Sequence, residues 1–438
     1  MRALPILLLL AACASPDPQG PAPKPLTRSN PFVAPPTTGY PLTAAEPLIE
    51  RLEGAYEGLR QGLDLAGIEA AGRELLIDDP GFHPAMVLVA QVEFLRQNDA
   101  AAITLLQPVV DELPDYTAAR LLLGGAAERQ GDLPVALESF LRIAGAYASA
   151  GRRADEIRPR AVEMVYDRLQ DALERGHGER AEEHLLWLDE WAADSWEALD
   201  GRRLVAVDRG DLEGELETVR QLAAIAGDLF YRQRAAELEL EVGDVRTGLD
   251  QLESLRQEYP EHAPLDDLLA LAKFLWRLQL LPPEVQEIGE KAELDRADLA
   301  TLLYWLVPQI RASRVTNPPI AADILDHPRR DEILRVLNLG LMEVDETLHR
   351  FEPADAAKRV VVFRALLGLL SSSQQRFACL SGAAESSTVG RSWRAICQQT
   401  EHCQLIPEAA DCRPAATISG GEVLELFRHT LDLLGSRG

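Results

Sequence analysis

Four cysteines, Cys379, Cys397, Cys403 and Cys412, fall within the last 60 residues of a 438-residue chain. Thiols at that density do one of two things: they oxidise to disulfides or they hold a metal. The gaps of 17, 5 and 8 residues match no compact zinc pattern, even with His402 nearby, so no metal is expected. Four cysteines allow three pairings. The short loops Cys403–Cys412 and Cys379–Cys397 are the expected ones, each restricting the unfolded chain by roughly 2–3 kcal/mol. No other constellation suggests catalysis. The eight histidines are scattered, and Gly-x-Ser-x-Gly and His-Glu-x-x-His are absent. Gly420-Gly421 opens a helix rather than following a strand, so it is not a phosphate loop. No cofactor and no enzymatic activity are expected. Trp187 and Trp191 stand four apart, the spacing of one helix face, and read as a core stripe before a binding platform.

The fifth cysteine has a different setting. Arg2 precedes an apolar run, Ala3 to Ala12, that ends at Cys13. The run is too short to span a bilayer. Leu10-Ala11-Ala12-Cys13 resembles the bacterial lipobox, which implies a signal peptide over 1–12 and acylation of Cys13 as the mature N-terminus. Several acyl chains anchor stably where one does not. Ala14 and Ser15, with no Asp at the second mature position, imply outer-membrane sorting, facing the periplasm. Residues 13–45 are rich in proline, from Pro16 to Pro41, which prevents helix and favours an extended tether.

From residue 46 apolar residues recur at three- and four-residue spacing. Pro80 and Pro114 are 34 apart, as are Phe82 and Tyr116, Ala85 and Ala119, and Gly176 and Gly210. Leu121 to Gly125, then Gly131-Asp132 and Ala136-Leu137, give a small–turn–small order that lets antiparallel helices approach. Residues 46–280 resemble the tetratricopeptide repeat (TPR), with about 11 residues inserted between Gly131 and Gly176 and Glu215 in a usually small position. The resemblance implies a superhelical array that binds protein segments.

Past residue 281 the period lengthens. Helix entries at Asp295, Lys358 and Ser419 are 63 and 61 residues apart, and Pro353 and Pro414 each lie five residues before an entry. Asp323-Ile324, His327, Leu339 to Met342 and Phe351-Glu352-Pro353 complete the middle unit. Residues 281–438 resemble a degenerate S-layer homology (SLH) domain, a helical module of three units that contacts anionic cell-wall polysaccharide. The family's ligand-contacting arginine aligns with Arg296 and Arg359. Gly420 takes the third position, and Pro328 replaces the tryptophan that usually follows the histidine. Asp295 and Ser419 are suitable helix caps, whereas Lys358 has no acceptor.

These elements imply an all-α chain: an α-solenoid of antiparallel helix pairs followed by the three-unit module. Few aromatics (5%) and 47% hydrophobic residues agree. With 44 basic against 70 acidic residues the net charge is −26, which repels phosphate and argues against nucleic acid. Residues 281–438 hold 17 basic and 22 acidic residues, so −21 of that charge lies before them. The expected function is a non-enzymatic, lipid-anchored envelope adaptor. Its array would bind a periplasmic or envelope protein and its last module cell-wall polymer. A second expectation is a protein scaffold whose last module only caps the array. A third, an envelope hydrolase, has no motif behind it.

Overall fold

The computed structural model describes residues 30–41, 46–345, 347–372, 378–380, 392–408 and 412–435. Regular structure among them is helical, with three isolated β-bridges and no strands. The chain forms two compact units that divide after Gly210.

Among the described residues the first unit stacks nine helices, each packed on its neighbours in the chain. They are α1 (Glu46–Gln61), α2 (Leu65–Asp78), α3 (His83–Leu95), α4 (Asp99–Glu112), α5 (Thr117–Gln130), α6 (Leu133–Ile143), α7 (Ala148–Glu174), α8 (Gly178–Ala192) and α9 (Trp196–Arg209). The 34-residue period marks equivalent helix starts. Phe82 and Tyr116 sit one residue before α3 and α5, both fully buried. At the other ends, Gly131, Gly176 and Gly210 take φ of 84°, 71° and 68°, the left-handed turn that glycine adopts without strain. The 11-residue insertion is absorbed as helix: α7 runs 27 residues where its neighbours run 11 to 15.

The second unit begins with two more helical pairs: α10 (Leu212–Ala226), α11 (Leu229–Glu241), α12 (Val245–Glu258) and α13 (Pro264–Gln279). Reciprocal ion pairs join α10 to α11. Glu215 of α10 accepts two bonds from Arg234 of α11, at 2.8 and 2.9 Å. Glu239 of α11 accepts two from Arg220 of α10, at 3.0 and 2.8 Å. Both carboxylates are buried, so the residue that departs from the small-residue pattern is matched by a partner. The Glu215 carboxylate raises the Arg234 guanidinium above its usual range.

The rest of the second unit contains α14 (Pro283–Gln286), α15 (Arg296–Leu306), α16 (Pro308–Ala312), α17 (Arg330–Asn338), α18 (Arg359–Ser372), α19 (Trp393–His402) and α20 (Gly420–Gly435). Three of these leave a closed ring of backbone hydrogen bonds. Arg296 N donates to Asp355 O (2.9 Å) and Ala357 N returns to Leu294 O (2.8 Å). Arg359 N donates to Ala416 O (2.9 Å) and Val360 N to Pro414 O (3.3 Å). Gly420 N donates to Lys291 O (2.8 Å) and Leu294 N to Ile418 O (3.0 Å), which closes the circle. Bridges Asp295↔Ala356 and Lys358↔Thr417 mark two of the joints. The 61- to 63-residue period is therefore the period of the ring. Asp295 caps α15 in a full capping box, and Ser419 Oγ accepts the Glu422 N–H. Lys358 enters α18 on the backbone bonds of the ring instead. One apolar core lies beneath, and it takes in Phe274 of α13.

Candidate functional site

A stretch of the proline-rich segment is docked on the first unit. Residues 30–41 do not run as free spacer. They make tight turns, with Thr38 N bonded to Pro35 O and Tyr40 N to Thr37 O, and lie against α3, α5 and α6. Alternate backbone carbonyls are read by the array. Gln91 Nε2 donates to Ala34 O at 2.7 Å, the Tyr116 hydroxyl to Pro36 O, and Ala118 N to Thr38 O at 3.1 Å. Burial pushes the Tyr116 phenol far above its usual range, which keeps it a donor. Phe32 supplies the anchor. Its ring stacks on Phe140 at 5.9 Å and meets Phe94 edge-on at 6.4 Å.

The two glycines of α5 explain how the ring fits. A Cβ on Gly124 would come 2.5 Å from Phe140, and one on Gly125 would come 2.6 Å from Phe32. Gly124 thus serves helix–helix approach, as its pattern implies. Gly125 serves the docked segment, 93 positions away in sequence. Phe32 also lines a cavity of about 380 Å³, with Pro31, Leu121, Phe140, Ala150 and Arg153 among others. Gln91 is buried, yet its Oε1 has no partner.

The second unit has a larger open cavity of about 760 Å³ between α10, α11 and α12. Arg220, Arg232, Glu239, Thr247, Asp250 and Gln251 line it alongside alanines and Leu255. Ser254 lines it too, and among the described residues no histidine stands in this wall. Trp187 and Trp191 stack in parallel at 5.5 Å. Trp191 is buried and Trp187 half-buried, and both edge a depression of about 560 Å³ with Asp115, Glu138 and Glu190. The pair is therefore core on one side and surface on the other. Beside it, burial holds the His184 imidazole below its usual pKa.

The two arginines singled out from the sequence occupy equivalent places in the ring. Arg296 donates Nε to Phe351 O at 2.7 Å and Nη2 to Glu343 O at 2.7 Å. Arg359 donates Nε to Cys412 O at 3.0 Å and pairs with Glu422. Phe351 and Cys412 each stand two residues before a ring proline, and the residues between, Glu352 and Arg413, both take positive φ. Both guanidiniums thus hold loop closures, and burial lowers the Arg296 pKa. At the third position a Cβ on Gly420 would overlap the Ile288 carbonyl, so no side chain fits there. Asp323 holds the middle closure from outside, accepting Phe351 N (2.8 Å) and Glu352 N (2.7 Å).

The disulfides differ from the expected short-loop pairs. Cys379 joins Cys403 (Cα–Cα 5.0 Å) and Cys397 joins Cys412 (5.5 Å). The reason is α19. Its inner face buries Cys397 against Cys412 in the ring, while Cys403, at the C-cap, turns toward the 3-10 turn Ala378–Leu380. Among the described residues no group of three or more His, Cys, Asp or Glu side chains could hold a metal, and no helix is long and apolar enough to cross a membrane. Cys13 lies outside the described residues.

No protein-family model matches the chain, and no curated protein matches it. Solved structures similar to it include three TPR proteins. A thermophilic TPR protein from Thermus thermophilus is 17% identical, over 51% of this chain and 98% of its own, with a TM-score of 0.20. The TPR domain of P58(IPK) is 16% identical, over 89% and 100%, with a TM-score of 0.29. A tetratricopeptide repeat protein from Parabacteroides merdae is 13% identical, over 67% and 100%, with a TM-score of 0.22.

Proposed function

We propose that this chain is a non-enzymatic adaptor of the cell envelope whose helical repeats bind a protein partner. The observation that carries this reading is the docked segment. The first unit already grips a non-helical stretch of polypeptide by alternate backbone carbonyls and one aromatic ring. A surface built that way is suited to segments of other chains. Acylation of Cys13 would hold the adaptor at the outer membrane, facing the periplasm, with residues 13–29 as the spacer. Photo-crosslinking from the exposed helix faces in native envelopes, followed by partner identification, tests the reading. Recovery of no protein above a scrambled-surface control would sink it. Palmitate labelling that persists in Cys13→Ala would remove the anchor.

Residues 281–438 support two roles. The ring of three helix entries suits an SLH-like module, which would contact cell-wall polymer. Arg296 and Arg359 would have to do so while still holding the ring carbonyls. Co-sedimentation of the intact chain with purified sacculi tests this, and an unbound chain ends it. The second reading, a cap for the array, is favoured by Phe274 of α13, which shares the module's core. Deleting 281–438 uncovers that side chain. A truncated chain that stays soluble and monomeric would remove the capping role.

A further inference from the structure

We propose that residues 30–40 are a resident but incomplete ligand of a groove on α3, α5 and α6, and that a partner segment of related chemistry displaces them. This rests on the protein-binding role above and specifies where it acts. The groove is built for an occupant. Gly125 leaves a ring-sized recess, and Phe94 and Phe140 wall it. Gln91, Tyr116 and the Ala118 amide supply a row of donors for carbonyls two residues apart. The incompleteness lies at Gln91. A side-chain amide offers both a donor and an acceptor, and here only the donor is used. The residues after Ala34 are Pro35 and Pro36, which have no N–H to give. A buried acceptor left unpaired weakens the resident contact.

The partner segment is therefore non-helical, with an aromatic anchor two residues before a carbonyl that meets Gln91. It carries a backbone N–H where this chain has Pro36, on the side of the extended segment that the Ala34 carbonyl faces. The cavity of about 380 Å³ that Phe32 lines leaves room for an anchor larger than phenylalanine. Displacement would also free 11 residues, about 34 Å of extended chain at ~3.1 Å per residue, between the array and the segment before it.

The test uses the full chain and a fluorescent 11-residue peptide with the sequence of residues 30–40, read by anisotropy. Phe32→Ala, which weakens the resident, should bind the peptide at least tenfold more tightly than the native chain. A Pro36→Ala peptide should bind more tightly still. Equal binding by both chains, or none by either, overturns the proposal, and a weaker Pro36→Ala peptide overturns its Gln91 part. Should Phe32→Ala lose helix content, hydrogen exchange on the native chain decides. Saturating peptide should speed exchange of the Thr38 and Tyr40 amides, and unchanged exchange refutes displacement. Native dimers that dissociate on adding peptide would make the occupant a second copy and refute it too. If the peptide fails while envelope crosslinking still captures a partner, the groove assignment falls and the adaptor role stands.

Discussion

Replacing Asp298 by asparagine removes one charge from the most heavily bonded carboxylate of the ring. Its side chain is 1% exposed. Lys291 Nζ donates to both oxygens at 2.8 Å, Arg329 Nη1 to Oδ1 at 2.5 Å, and the Asp295 N–H to Oδ2 at 3.2 Å. Asparagine keeps the capping contact but leaves two cations facing each other without their anion. Breaking a buried pair costs about 3–5 kcal/mol. Lys291 is 41% and Arg329 27% exposed, so water recovers part of that, and about 2–3 kcal/mol is expected. The pH dependence follows from the same contacts. Burial alone would raise the Asp298 pKa, but the bonds from Lys291 and Arg329 outweigh it and lower it. The unfolded carboxyl titrates near ~3.9. Its contribution is therefore complete above that value and is lost as pH falls through the lower folded pKa. Hydrogen exchange of α15 amides reads the second unit without assuming that both units unfold together. A change under 1 kcal/mol at pH 7, or a native chain that loses α15 protection above pH 5, would refute the argument.

The paired glycines should respond in opposite ways. Gly124→Ala forces a methyl into Phe140 and should cost about 1–3 kcal/mol by denaturation. Gly125→Ala meets the docked Phe32 first and gains up to ~1 kcal/mol of helix propensity. It should leave the array near native stability while exposing residues 30–40 to protease. Glu215→Ala restores a small residue yet strands Arg234, and should destabilise the second unit by about 2–3 kcal/mol in a urea melt. Glu217→Ala, whose contact with Arg220 is 3.9 Å and exposed, should stay within ~0.5 kcal/mol. Non-reducing peptide mapping should recover Cys379–Cys403 and Cys397–Cys412, and recovery of Cys403–Cys412 would contradict the assignment.

The period of the array and that of the ring were both legible in the sequence, because each repeats a local requirement. A helix start needs its buried aromatic at Phe82 or Tyr116, and a helix end needs φ > 0 at Gly131 or Gly210. The docked segment was not legible. Proline density forbids helix whether a chain is free or bound, and the recess for Phe32 is made by a glycine 93 positions on. The disulfide pairs were missed for a related reason. Loop length ranks pairings by proximity along the chain, whereas the faces of α19 rank them by direction. Arg296 and Arg359 were found by alignment, but sequence alone could not reveal that each already holds a backbone carbonyl.

The broken symmetry of the ring bears on what its arginines do. Two of three equivalent positions carry arginine and the third is Gly420. Were the arginines kept only for an external polymer, the third position could drift to any exposed residue. It is instead restricted to glycine, because the 3-10 turn Glu287–Glu290 lies against it and Ile288 O occupies the space of a side chain. That turn sits where the first unit of the ring lacks a full helix, and Gly420 N bonds to Lys291 just beyond it. The closure at the third joint is thus made by backbone packed on backbone, while the other two are made by guanidiniums reaching Phe351 O and Cys412 O. Two joints are thus closed by a guanidinium and the third by backbone alone, and neither arginine side chain is idle. Polymer contact, if sacculus binding reveals it, would therefore compete with this work, with a cost in ring stability that Arg296→Lys would separate from a loss of charge.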